Sequence, residues 1–183
     1  VLSFVDAPSG SHTLLSTTTV TSATSEIVVS SGIDTTYKSY MIDIINLHPE
    51  EDNKSLRMRF RQSGSTISTT TYDYCFHQMN SSGTNTFNNE ENSDYINLCN
   101  NANRDSEAAI CARIHMFDPS QNGTHDTKIM WNLAYEGGSG GDNNGNTHGS
   151  GRLESTSAVD GFTLFMSSGN IDTATAIKLY GVS

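Results

Sequence analysis

Hydrophobic and polar residues alternate with a period of two along most of the chain. Residues 56–61 place Leu56, Met58 and Phe60 on one face and Arg57, Arg59 and Arg61 on the other. Ile110, Ala112, Ile114 and Met116 alternate with Cys111, Arg113, His115 and Phe117. Ile129, Trp131, Leu133 and Tyr135 repeat the pattern, as do Phe162, Leu164 and Met166. Successive side chains of an extended backbone point to opposite faces, so the pattern predicts strands with one face in a core and the other in water. The second half of residues 37–47 is apolar on both faces, which predicts a central strand. Strands are expected near residues 12–20, 25–30, 37–47, 55–62, 70–79, 94–99, 108–117, 127–135, 151–156, 160–167 and 174–182. The best helical window, residues 101–112, supports no more than a turn or two behind Asp105 or Ser106. Many short strands with turn residues between them predict an all-β fold: an antiparallel, jelly-roll-like β-sandwich of ten or so strands, one domain over residues 1–183.

Three stretches lack the alternation. Residues 137–151 contain no apolar side chain and are expected to form one long polar loop. Residues 81–93 are expected to form a second, carrying Phe87 and the acidic pair Glu90 and Glu91. Residues 48–54 read as a shorter acidic turn.

Composition sharpens the class. Ser, Thr, Asn and Gly supply 78 of the 183 residues, while β-branched and aromatic residues remain too frequent for a disordered chain. No run approaches the ~20 apolar residues of a membrane-spanning helix, so no membrane partner is expected. A formal net charge of -10 opposes binding to nucleic acid and to anionic lipid. Cys75, Cys99 and Cys111 show no C-x-x-C spacing and flank apolar residues, which predicts buried, reduced thiols. The first ten residues have neither a basic segment nor an apolar core, so no secretory signal is expected there.

Candidate chemistry is sparse. Gly137, Ser139 and Gly141 match a nucleophile-elbow spacing, but no helix-forming residues follow, and a Gly/Ser loop is the expected reading. Asp142, Asn144 and Asn146 offer alternate oxygen donors, yet Thr147 and Leu153 occupy the positions where a calcium loop needs Gly and Glu. The six histidines have no ligand spacing, and His77 and His115 fall mid-strand. Glycoside hydrolysis needs two carboxyls across a sugar. The acids here cluster as Glu50, Glu51 and Asp52 and as Glu90 and Glu91 on polar turns, so no catalytic residue, metal or cofactor is assigned. Sequons at Asn53, Asn80 and Asn122 are expected by chance in this composition. Arg57, Arg59 and Arg61 concentrate three of only ten basic side chains on one strand face and are the candidate interface. Trp131, Tyr135 and Phe87 are the candidate sugar platforms, with Trp131 more simply a core residue.

The two ends of the chain carry a resemblance. Gly32-Ile33-Asp34, Tyr37-Lys38 and His48-Pro49 near the start, with residues 157–160, 166–170 and 177–181 at the end, resemble small virion proteins of tailed phages of aquatic bacteria, including cyanophages. The match covers about a third of the chain, and the Asn-rich middle has no counterpart in it. The resemblance implies a non-catalytic structural component of a virion, assembled in the host cytoplasm. Capsid decoration (cement) protein and tail-fibre module are both compatible with it. The expected partners are other virion proteins and further copies of the chain, with a trimer favoured by analogy. The alternative is a carbohydrate-binding adhesin for a host-surface glycan, and a glycan-degrading enzyme comes third.

Overall fold

In the computed structural model, residues 12–105, 108–120, 125–137 and 143–183 are described. Every alternating stretch forms a strand, and two stretches without apolar alternation do so as well. The first six strands are β1 (His12–Val20), β2 (Glu26–Val29), β3 (Ser39–Pro49), β4 (Lys54–Gln62), β5 (Ser65–Thr66) and β6 (Tyr72–Asn80). They are followed by β7 (Asn85–Ser93), β8 (Ile96–Ala102), β9 (Ile110–Phe117) and β10 (Thr127–Gly137). The chain ends with β11 (Asn143–Leu153), β12 (Gly161–Met166) and β13 (Ile171–Val182). No helix occurs among the described residues.

All thirteen strands belong to one antiparallel sheet, whose main path runs β1-β13-β3-β9-β10-β8-β4-β12-β2. This nine-strand path curls into a nearly closed barrel. Thr24, just before β2 at one end of the path, makes a reciprocal backbone pair with Ile171 at the start of β13, the strand next to the other end (2.9 and 2.8 Å). The expected jelly-roll-like sandwich of two separate sheets does not form. What overturns it is the continuity of pairing, including the step from β10 to β8 at Gly137 and Ala102. A Cβ on Gly137 would collide with the Asn101 carbonyl, so glycine permits this close approach. Apolar alternation fixes which face of a strand is inside but not which edges meet, and the closure was therefore invisible to it.

The core follows the alternation. Leu56, Met58 and Phe60 of β4, Ile42, Ile44 and Leu47 of β3, and Phe162, Leu164 and Met166 of β12 are all buried. Each large side chain removed from water contributes ~1.5–3 kcal/mol. Asn46 (φ 49) interrupts the pairing of β3 with β9 in a bulge, which returns Leu47 to the interior. The buried tip of Tyr72 is satisfied: it donates its hydroxyl hydrogen to the Ile67 carbonyl (2.9 Å) and accepts from the Phe60 amide (2.9 Å). Burial pushes the Tyr72 phenol up to about 12.

Two expected loops are strands. Residues 85–93 form β7, an edge strand beside β6 with exposed side chains on both faces. Residues 143–153 form β11, paired along its length with β10 and β6. Its inward positions are Gly145, Thr147, Gly149, Gly151 and Leu153, so period two is present but written mostly in glycine. Neighbouring aromatic rings fill the missing volume. A Cβ on Gly149 would lie 2.5 Å from both Phe76 Cβ and Trp131 Cζ2, and one on Gly145 would overlap the Tyr135 ring.

Candidate functional site

β11, β6 and β7 branch from the main path at β10, so that β9, β10, β11, β6 and β7 lie consecutively in the sheet and present one outer face. Register brings their outward residues into rows. One row runs Arg113, Asn132, His148, His77 and Phe87 across the five strands. The next runs His115, Met130, Ser150, Cys75 and Asn89, and a third runs Phe117, Lys128, Arg152 and Asp73. The first two rows line a groove of about 770 Å³, which continues over the third into a hollow of about 510 Å³.

The groove is unusually apolar for a surface this polar. Of the six large hydrophobic side chains exposed among the described residues, Met79, Phe87, Phe117 and Met130 lie on this face, with Phe87 82% exposed and Met130 59%. His77 stacks on Phe87 (centroids 4.6 Å, planes 12° apart) and meets His148 edge-on at 5.2 Å. Three strands away, His115 packs on Phe117 with centroids 4.3 Å apart. His77 Nε2 is 2.6 Å from Asn85 Oδ1, which holds the ring in place. The side-chain amides of Asn89 and Asn132 have no hydrogen-bond partner among the described residues.

The two arginines of this face are paired within the chain. Arg113 makes a forked ion pair with Asp43, Nε to Oδ1 at 2.8 Å and Nη2 to Oδ2 at 3.0 Å. Arg152 bonds Asp73 (2.7 Å) and Asp126 (3.3 Å) and also pairs with Glu154. The Asn92 backbone N–H, followed by Arg152, holds the Asp73 carboxyl below the usual carboxylate range.

The candidates read from the sequence separate. Phe87 lies in the groove. Trp131 (3% exposed) and Tyr135 are core residues: Trp131 donates its indole N–H to the Leu98 carbonyl (3.0 Å) and reaches the groove floor only beneath Gly149. Arg57, Arg59 and Arg61 occupy a different face. Arg57 lies over the Tyr95 ring (3.9 Å) and Arg59 over Phe165 (4.5 Å), while Arg59 also pairs with Asp94. Arg61 bonds Thr66 (2.8 Å) and the Gly64 carbonyl, so all three guanidinium groups have partners within the chain. Glu50, Glu51 and Asp52 brace turns: Glu50 accepts from the Asn170 amide (3.2 Å), and Glu51 pairs with Lys54 (2.9 Å). Glu90 and Glu91 lie on β7 rather than in a loop.

Of the thiols, only Cys99 is buried, with its pKa pushed up to about 12 by desolvation; Cys75 and Cys111 face outward, correcting the expectation for them. Asn144 and Asn146 lie on β11, where Asn146 bonds the Leu133 carbonyl (3.1 Å), and no group of three His, Cys, Asp or Glu among the described residues could hold a metal ion. Ser139, Gly141, Asp142, Ser106 and Asn122 lie outside the described residues.

The groove residues His77, His115, His148, Met130, Phe117 and Asn132 were not candidates from the sequence. One signal was present: β9 and β10 place Phe117 and Met130 at outward positions of alternating strands. No protein-family model matches the chain, and no curated protein and no solved structure matches it either.

Proposed function

We propose that the chain is a non-catalytic structural module of a tailed-phage particle, acting through contacts made at its surface. The observation that carries this reading is the concentration of exposed apolar side chains on one groove of an otherwise polar barrel, the usual mark of a recognition face. The phage context comes from the resemblance of the two chain ends. Those ends supply β3, β12 and β13, and β3 pairs with β13 along nearly its whole length. The middle of the chain, which has no counterpart in the resemblance, builds the groove. A homo-oligomer, a trimer first, would cover the free edges at β1 and β7.

Quantitative mass spectrometry of purified virions tests this role. Hundreds of copies per particle identify a capsid decoration protein, and a few tens or fewer identify a tail module. Absence from purified particles overturns the reading. A second reading, a host-surface adhesin, is favoured by one feature: the His77–Phe87 stack stands beside unpartnered amides, the combination that sugars use.

A further inference from the structure

We propose that the groove binds a neutral oligosaccharide, held between two aromatic platforms three strands apart. The inference rests on the adhesin reading and specifies the ligand that it requires.

The first platform is Phe87 on β7 stacked with His77 on β6, and the second is Phe117 packed against His115 on β9, with the two rings tilted by 32°. From His77 on β6 to His115 on β9 the sheet makes three inter-strand steps of ~4.8 Å, ~14 Å across the strands, with His115 one row further along them. That span suits a short oligosaccharide and exceeds one monosaccharide ring. Aromatic faces pack on the C–H faces of sugar rings, whereas hydroxyls need neutral donors and acceptors between the platforms. Asn132 and Asn89 provide these, each with a side-chain amide that has no partner among the described residues, and the exposed Met130 forms an apolar floor beside them.

Charge selects against an acidic glycan. Among the described residues, Arg113 is the one Lys or Arg lining the larger groove, and Asp43 already occupies its fork from the side. The adjoining hollow carries Asp73, Glu90 and Glu91 against Lys128 and Arg152, one more acid than base, in a chain of net charge -10. A uronate or sialic acid would meet this field without a free cation of the larger groove to receive it.

The chain has a single tryptophan, Trp131, and it lines the groove floor, so its fluorescence reports occupancy. The full-length protein is screened on an array of neutral, sialylated and uronate-containing glycans, and hits are titrated by fluorescence as mono-, di-, tri- and tetrasaccharides. The expected result is binding of neutral oligosaccharides, with affinity rising by about tenfold or more from the monosaccharide to the trisaccharide. Phe87→Ala and Asn132→Ala, both outward-facing, should each weaken binding by about tenfold without moving the unfolding midpoint. Binding that both variants leave intact, or a preference for acidic glycans, overturns the groove assignment while the adhesin reading stands. No binding to any glycan overturns both and leaves the virion-contact reading as it was.

Discussion

The two flanks of this barrel reach the same secondary structure by opposite means. In β3, β12 and β13, large apolar side chains at alternate positions point inward and fill the core themselves. In β11 the inward positions are mostly glycine, and the volume comes from Phe76, Trp131 and Tyr135 on the two strands paired with it and from Ile96 of β8. A strand of the first kind is damaged by removing atoms, and one of the second kind by adding them. The contrast extends to the outer surface. The large outward residues of the first flank, Met41, Ile45, Phe165 and Tyr180, are half-buried, while the glycine-floored flank carries the groove with its exposed Phe87 and Met130.

The largest effect is expected on the first flank. Phe162 is fully buried, and Phe162→Ala should cost ~3–5 kcal/mol, a large part of the stability of an ordinary domain. Urea unfolding measures it, and a loss below ~1 kcal/mol would show that β12 is not part of a packed core.

Next comes the glycine strand. Gly149→Val adds atoms where a Cβ alone would lie 2.5 Å from Phe76 and Trp131, and a cost of ~1–3 kcal/mol is expected from overpacking. Hydrogen exchange should show amides of β11 and β6 opening while those of β3 and β13 keep their protection. Equal loss of protection on both flanks would abolish the distinction between them.

These two substitutions also mark what was legible in the sequence. Strands β4, β9, β10 and β12 were readable because Leu, Ile, Met and Phe write period two directly. Strands β7 and β11 were not: β7 is an edge strand with no buried face, and β11 writes its buried face in Gly145, Gly149 and Gly151, which read as loop residues. Barrel closure depends on Gly137 meeting Ala102 and Thr24 meeting Ile171, contacts between residues far apart in the chain that no local pattern encodes. Phe87 was legible as an exposed aromatic residue. Its stacking partner His77 was not, because β6 and β7 had to be paired before the two rings could be seen as neighbours.

A smaller effect is expected from acid. The folded state holds the Asp73 carboxyl below its unfolded value, so its contribution is present above the unfolded pKa of about 3.9 and is lost as pH falls through the folded value. Exchange of β6 and β11 amides should therefore accelerate below about pH 4 before the rest of the barrel responds. Asp73→Asn should remove much of that acid-specific step. An unchanged profile in the variant would place the acid sensitivity elsewhere.

The smallest stability effect belongs to the groove. Phe87 is 82% exposed and Asn132 has no partner among the described residues, so the double variant Phe87→Ala, Asn132→Ala should unfold within ~0.5 kcal/mol of the wild type. The central claim, that recognition resides on this face and stability in the rest of the barrel, is tested by placing the double variant in the phage and measuring both incorporation into particles and adsorption to host cells. The account predicts a clear loss in one of the two with an unchanged unfolding midpoint. Particles that incorporate the variant fully and adsorb like the wild type would contradict it.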